Sequence, residues 1–309
     1  MNARFGFGDY QYELVRDWPK FHTSIVASDV ATDSKGLAYV PARDTDSNGA
    51  QNLRSGSIQV FDRNGTFMRS FGEGLCIIPH GIWINSNDEI FHTDMKEQTV
   101  RKFDPSGELL MTLGTPGQLG PEGSPFRGPT RAVQSQSGDI YVSDGYEQNR
   151  VHRFTQNGEL TLSWGKGDPV YYQEHTLGNI TGIAGTGPGE FDLPHDVTVD
   201  KNGLVYIMDR SNNRCQVFDS EGKYITEWAD IRCPNDAVID KNDVMHIAEA
   251  PGTVLVTTLE GEVLGRWGKQ GNGPGEFRGY PHGIWIDSNE DIYVAEVGAN
   301  NALQKFARI

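Results

Sequence analysis

A four-strand unit repeats along almost the whole chain, and this repetition limits the possible folds more than any other feature of the sequence. Each copy opens with a short apolar strand, turns at a cluster of Asn, Gly and Asp, and continues as three segments in which apolar and polar residues alternate. Residues 79–114 and 194–229 are two such copies. No segment keeps the i, i+3, i+4 apolar spacing of a helix over three turns. The pattern therefore predicts propeller blades rather than helical solenoid units.

Six copies share one register. Their first strands start at equivalent residues, namely Ser28, His80, Thr130, His195, Asn235 and His282. An apolar residue follows ten positions after every start, and an acid follows fourteen positions after five of the six starts. The sequence therefore predicts an all-β, six-bladed β-propeller that residues 1–309 form as a single domain.

The last copy ends after its third strand at Ile309, which leaves its sheet one strand short. Because an unpaired strand edge is unfavourable, another part of the chain has to supply the fourth strand. Residues 12–18, YELVRDW, have a suitable pattern, so we expect an N-terminal strand to close the ring in the last blade. The longest connections, residues 43–57 and 166–187, are expected to extend from one face of the ring.

Composition argues against several classes of protein. A formal net charge of −15 and the lack of a basic run argue against nucleic-acid binding. No apolar run approaches the roughly 18 to 20 residues of a membrane span, and the first residues lack the pattern of a signal peptide. The three cysteines, Cys76, Cys215 and Cys233, form no CxxC pair. We therefore expect a soluble, cytoplasmic protein, and the sequence carries no signal for an oligomeric state.

The dipeptide Pro-His occurs three times, and each occurrence places a histidine at the start of an innermost strand. These histidines are His80, His195 and His282, in the second, fourth and sixth copies. Alternate blades of a six-fold ring lie about 120° apart, so the three imidazoles are expected to converge in the tunnel. Three histidines with a fourth position open are the usual arrangement of a catalytic zinc ion.

A hydrogen-bonded core residue is the alternative for any one of these histidines, but their shared position in alternate copies favours a metal site. The other histidines have no common register, and strand or surface positions explain them: His22, His92, His152, His175 and His246.

Several motifs resemble those of one family of propeller enzymes. The segments IIPHGIW, DLPHDVT and GYPHGIW, together with YVSDGYEQNRVHRF and MDRSNNRCQVF, resemble the peptidyl-α-hydroxyglycine α-amidating lyases, a branch of the NHL-repeat propellers. The GPGEF segments at 187–191 and 273–277 are NHL-like. The resemblance covers nearly the whole chain and implies a propeller of the NHL-repeat type.

The resemblance also implies a function and its residues. The three histidines would bind zinc, Tyr146 would be the catalytic tyrosine, and Arg43 and Arg210 would be the active-site arginines. The implied activity is a zinc-dependent lyase that cleaves the N–C bond of an α-hydroxyglycine-type carbinolamide, or of a related α-hydroxy compound, to an amide and glyoxylate. Its partner would be a small-molecule or peptide substrate with a carboxylate, which an arginine would bind through paired hydrogen bonds.

The repeat register agrees with these assignments. Arg43 and Arg210 lie fifteen positions after their strand starts and Tyr146 lies sixteen after its own, so all three are expected in turns on the face where the first strands begin. The alternatives are surface ion pairs of the arginines with Asp44 or Asp209, and an ordinary turn aromatic at Tyr146.

Two positions depart from the family pattern. Glu147 stands where the extracellular animal members have a cysteine, and Gly283 stands where they have an acid that helps to hold a structural calcium ion. Asp29, Asp196 and Asp236 occupy the position equivalent to Gly283 in other copies. They could bind a second structural cation such as calcium, or they could cap turns near the tunnel.

Two further functions compete with the lyase. The first is a metal-dependent hydrolase such as a lactonase, and the second is a non-catalytic NHL platform that binds a protein or ligand. A platform has no need of three converging imidazoles, and propeller lactonases typically use carboxylate and amide ligands around calcium. The histidines therefore favour the lyase.

Overall fold

The computed structural model describes residues 3–44, 56–121, 124–165 and 185–309, and β-strands are the only regular elements in these ranges. None of the described residues forms a helix that is long and apolar enough to cross a membrane. Most of the two expected extensions, including Tyr171, Tyr172 and His175, lies outside the described residues.

Six antiparallel sheets form the blades. Blade 1 contains β3 (Ile25–Ala27), β4 (Ala31–Thr32), β5 (Ala38–Asp44), β6 (Gly56–Phe61) and β7 (Phe67–Cys76). Blade 2 contains β8 (Pro79–Ile84), β9 (Ile90–Asp94), β10 (Thr99–Phe103) and β11 (Leu109–Leu113). Blade 3 contains β12 (Pro129–Gln134), β13 (Ile140–Asp144), β14 (Arg150–Phe154) and β15 (Leu160–Trp164).

The remaining three blades repeat this order. Blade 4 contains β16 (Pro194–Val199), β17 (Val205–Asp209), β18 (Arg214–Phe218) and β19 (Tyr224–Trp228). Blade 5 contains β20 (Pro234–Ile239), β21 (Val244–Glu249), β22 (Thr253–Thr258) and β23 (Val263–Trp267). Blade 6 contains β24 (Tyr280–Ile286), β25 (Ile292–Val297) and β26 (Leu303–Arg308), together with β1 (Arg4–Phe7) and β2 (Tyr10–Val15).

The first strands form a closed circle. Contacts run from β4 through β8, β12, β16, β20 and β24 and back to β4. This arrangement confirms the predicted six-bladed β-propeller. Six apolar clusters lie between neighbouring blades, and the residues ten positions after each start are at most 1% exposed within them.

The acids that follow fourteen positions after five of the starts have a structural role. Each carboxylate accepts a hydrogen bond from the backbone N–H of the residue three positions before the start, at 2.7 to 3.0 Å. The acids are Asp94, Asp144, Asp209, Glu249 and Glu296, and their donors are Ile77, Arg127, Asp192, Arg232 and Gly279. These bonds fix the segment that carries each tunnel residue.

The N-terminal segment closes the ring, as the sequence predicts. β2 pairs antiparallel with β26, so that Leu14 lies opposite Phe306, and β1 adds a fifth strand that the sequence did not predict. Tyr12 is buried between blades 5 and 6. Trp18 lies beyond the strand and packs edge-on against Tyr293, with the ring centroids 4.9 Å apart.

Deleting residues 1–19 is expected to destabilise the whole propeller by at least about 5 kcal/mol, because it exposes the edge of β26 and removes the buried rings of Tyr12 and Trp18. Thermal unfolding followed by circular dichroism measures the effect. Deleting only residues 1–3, which precede β1, is the matched control and should not change the Tm. A Tm for the longer deletion within a degree or two of the full-length value would contradict closure by this strand.

Candidate active site

The residues at the strand starts lie in β-bulges at the mouth of the tunnel. In blades 2 to 6 the register between the first and second strands shifts directly after the proline of the first strand, for example between Pro194 and Asp196. A bulged residue has no cross-strand partner, so its backbone and side chain are available to neighbouring blades. The bulge explains why the side chain of the residue after each proline can point into the site.

His80, His195 and His282 converge there, as predicted. Their ring centroids are 4.7 to 4.9 Å apart, and one ligand nitrogen from each ring lies within 4.8 Å of the others. All three side chains are buried. The three-fold arrangement inferred from alternate copies is therefore present in the folded chain.

Backbone carbonyls of the intervening blades fix the orientation of the three imidazoles. His80 Nδ1 lies 2.8 Å from the Thr130 carbonyl oxygen, His195 Nδ1 lies 2.5 Å from that of Asn235, and His282 Nδ1 lies 2.6 Å from that of Ser28. Because a carbonyl can only accept, each Nδ1 carries the proton and each Nε2 presents a lone pair. Such outer contacts are typical of metal-binding histidines.

Ser28, Thr130 and Asn235 also link each of their blades to the next one through their side chains. Their side chains donate to the carbonyl oxygens of Pro79, Pro194 and Pro281 in the next blade, at 3.1, 3.1 and 2.6 Å. Sequence reasoning found these three residues only as the starts that lack a histidine. The signal that could have identified them is that all three are small hydrogen-bond donors in alternate copies.

Burial is the main reason why the three imidazoles are neutral. It lowers the pKa of His80 and His195 well below 6.5 and that of His282 to about 3, and the neighbouring histidines and arginines lower these pKa values further. A neutral imidazole is the form that binds a metal. Three buried lone pairs without enough hydrogen-bond donors fit a divalent cation such as zinc.

Tyr146 lies against the histidines, two residues after β13. Its hydroxyl oxygen is 2.8 Å from His80 Nε2 and 3.1 Å from His195 Nε2. Met95 and Leu193 pack with its ring in a small apolar cluster. Burial raises the pKa of the Tyr146 phenol above 10, while the guanidinium groups of Arg210 and Arg43 lower this pKa. Tyr146 is thus a buried member of the site and not an ordinary turn aromatic.

The two predicted arginines flank this tyrosine. Arg43 is buried at the end of β5, rather than in a turn, and its Nε donates to the Pro79 carbonyl oxygen at 2.8 Å. Arg210 follows β17, interacts with Tyr146, and lies with its Nε 3.4 Å from Cys233 Sγ.

Neither arginine forms the surface ion pair, with Asp44 or Asp209, that was the alternative to a role in the site. Arg214, not Arg210, binds Asp209, with its Nε 2.8 Å from Oδ2. Arg43 is only 6% exposed and therefore is not a surface residue.

Known proteins share both the sequence pattern and the fold of this chain. The NHL repeat family matches residues 191–218. NHL repeat-containing protein 3 of Homo sapiens is 32% identical over 232 residues, which cover 70% of this chain and 59% of that protein. Peptidyl-α-hydroxyglycine α-amidating lyase 1 of Drosophila melanogaster is 29% identical over 243 residues, which cover 77% of this chain and 41% of that enzyme. The chain is a six-bladed β-propeller with an NHL repeat at residues 191–218, and its sequence is similar to those of the amidating lyases.

The NHL-repeat propeller spans about 60% of the length of the NHL repeat-containing proteins that it resembles. Its fold is also that of a gluconolactonase from Xanthomonas campestris, with a TM-score of 0.63 at 12% identity over 99% of this chain and 95% of that one. At this identity the likeness shows the fold alone.

A second group of charged residues lies in the tunnel of this NHL-repeat propeller, and sequence reasoning missed its centre. Arg131 binds Asp29 and Asp236 through Nη1, and its Nε lies 3.6 Å from Asp196 Oδ1. The three aspartates therefore surround a guanidinium and do not form the oxygen cluster that calcium needs. They also accept backbone N–H groups near the tunnel, which agrees with the capping alternative.

Cys76, His92 and Asp94 form another buried group with metal-binding atoms. Asp94 is one of the acids that fix the blade connections, and its two oxygens accept four backbone N–H groups. His92 Nδ1 donates to the Gly81 carbonyl oxygen, and its Nε2 lies 3.5 Å from Cys76 Sγ. Burial raises the pKa of the Cys76 thiol, which therefore stays neutral and contacts His92 in the core.

Proposed function

We propose that this NHL-repeat propeller is a zinc-dependent lyase that cleaves the N–C bond of an α-hydroxyglycine-type carbinolamide to an amide and glyoxylate. The observation that carries the proposal is the contact of the Tyr146 hydroxyl with two of three converging histidine nitrogens. The matching motifs of the amidating lyases and the likeness to the Drosophila enzyme support it. A scaffold protein has no use for this arrangement.

His80, His195 and His282 would hold the zinc ion through Nε2. When bound, zinc supplies a positive charge that acidifies a coordinated hydroxyl group and lowers the pKa of a neighbouring phenol. Burial raises the pKa of Tyr146 by more than the two arginines lower it. The additional positive charge of zinc would therefore be required to form the phenolate near neutral pH. Tyr146 is therefore an effective base only in the loaded site.

Tyr146 is placed to move the single proton that the reaction requires. The substrate loses a proton from its hydroxyl group, the N–C bond breaks as the C=O bond of glyoxylate forms, and the amide nitrogen gains a proton. A phenolate that accepts the hydroxyl proton can return it to the nitrogen, so no net proton is consumed. Met95 and Leu193, which pack with the ring, keep the phenol oriented.

Arg43 and Arg210 would bind the carboxylate of the substrate. Both guanidinium groups lie close enough to Tyr146 to lower its pKa, so an anion held between them would be next to the phenol. Charge-assisted hydrogen bonds to a carboxylate are shorter and stronger than neutral ones. This arrangement orients the scissile carbon and favours substrates with a free carboxylate.

The test is release of glyoxylate from α-hydroxyhippurate by the purified protein, with metal content measured on the same sample. We expect glyoxylate and benzamide in equal amounts, no activity after the metal is removed, and recovery when zinc is added back. A fully zinc-loaded protein that releases no glyoxylate from this substrate or from peptide analogues would reject the lyase.

Replacing Arg43 by alanine should lower kcat/KM for a carboxylate substrate by roughly 10- to 150-fold, the worth of about 1.5–3 kcal/mol of charged hydrogen bonds. The carboxamide analogue lacks the charge, so its kcat/KM should fall much less. Steady-state kinetics with the two substrates measure the difference, and Arg69→Ala, on the outer strand of the same blade, is the control. An equal loss of kcat/KM for both substrates would show that Arg43 does not bind the carboxylate.

A further inference from the structure

Four blades meet at the guanidinium of Arg131. Asp29 comes from blade 1, Arg131 from blade 3, Asp196 from blade 4 and Asp236 from blade 5. All four residues are at most 3% exposed, and all occupy the position directly after a strand start. One guanidinium of the chain thus contacts carboxyl groups from three other blades.

The same carboxylates tie neighbouring blades together through the backbone. Asp29 Oδ2 accepts the N–H of Ile82 at 2.7 Å, and Asp236 Oδ2 accepts the N–H of Ile284 at 2.8 Å. Each of these two oxygens also contacts Arg131 Nη1. Arg131 therefore contacts these two carboxyl groups at the points where they join the blades, which is where a structural metal ion would act.

Two glycines make room for this cluster. A Cβ atom at residue 283 would collide with the Asp29 carboxylate, and a Cβ atom at residue 81 would lie 3.3 Å from Arg131 Cδ. The Asp29 carboxylate thus occupies the space that a side chain at residue 283 would need. The cavity left between Arg131 and the three histidines measures only about 10 Å³, the space of a single water.

We infer that Arg131 is the structural cation of the tunnel, built into the chain in place of a bound calcium ion. Calcium needs six to eight oxygens, whereas five of the six carboxylate oxygens here already accept hydrogen bonds from the guanidinium or from backbone N–H groups. A calcium ion bound by Asp29, Asp196 and Asp236 would also face the positive charge of Arg131. The inference concerns stability and does not depend on the proposed lyase activity.

The test compares the Tm of the wild-type protein and of Arg131→Ala during a calcium titration, with zinc held constant. The wild-type Tm should not respond to calcium. The variant leaves three buried carboxylates without their counter-ion, so its Tm should fall by roughly 5–15 °C, and millimolar calcium should restore most of that loss. Equilibrium dialysis should find about one calcium ion per variant chain and none on the wild type.

Arg153→Ala is the matched control, because Arg153 lies on the same blade and pairs with the exposed Glu221. Its Tm should change little and should not respond to calcium. If Arg131→Ala does not fold, the variant Arg131→Ala/Asp29→Asn/Asp236→Asn removes two of the buried charges and should fold without calcium. A wild-type Tm that rises with calcium, an Arg131→Ala protein as stable as the wild type, or a triple variant that fails to fold would each overturn the inference.

Discussion

Replacing His80, His195 or His282 by alanine is expected to abolish metal binding and to reduce activity to background, while the β-propeller stays folded. Each imidazole presents one of three converging lone pairs, and two nitrogens hold a zinc ion far less well than three. The blades are held by the six apolar clusters between them, which contain none of the three histidines. The fold therefore does not need the ion.

Elemental analysis of the purified variants gives the metal content, and circular dichroism with thermal unfolding tests the fold. The wild type should carry about one zinc ion per chain. His152→Ala is the matched control, because His152 is equally buried and hydrogen-bonded but lies on β14, bound to Asp144 and Ser163. It should keep its metal. A triple histidine variant that retains full metal content would reject the site.

Replacing Tyr146 by phenylalanine should lower kcat by roughly 10²- to 10⁴-fold, the usual worth of a positioned general acid or base. The ring and its packing with Met95 and Leu193 remain, so only the hydroxyl group that contacts His80 and His195 is lost. Because the three Nε2 atoms and their carbonyl partners are unchanged, zinc content should stay at the wild-type level.

The control for this variant is Tyr141→Phe, a buried tyrosine of the same blade whose hydroxyl lies 3.4 Å from the Ser220 carbonyl oxygen, away from the histidines. It should keep wild-type kcat. Steady-state kinetics on α-hydroxyhippurate measure both variants. If Tyr146→Phe has near-wild-type kcat, the tyrosine is not the proton carrier, and a metal-dependent hydrolase becomes the better explanation of the site.

Replacing Arg210 is expected both to weaken carboxylate binding and to raise the pKa of Tyr146, since Arg210 and Arg43 each act on the Tyr146 phenol. Cys233, a half-buried neighbour of Arg210, does not occupy a repeated position of the copies. The sequence therefore did not predict that it lies next to the site. Its proximity to Arg210 arises because blades 4 and 5 are adjacent, which no local motif records.

The sequence by itself determined the number of blades, the closing strand and the three histidines at the tunnel mouth. Each of these follows from a local period. Residues at the same position of each copy lie at the same distance from the propeller axis. The residues ten positions after each start, for example, are all buried. Histidines at one position of alternate copies must therefore approach one another.

Only the tertiary structure decided which partners these residues have. Arg131 binds Asp29 and Asp236 across 102 and 105 residues, Asp209 binds Arg214 rather than Arg210, and the carbonyls that orient the histidines belong to other blades. The physical reason is competition: many carboxylates, guanidinium groups and carbonyls could pair, and the bulges at the strand starts select which of them face each other across neighbouring blades. Spacing along the chain does not encode that choice.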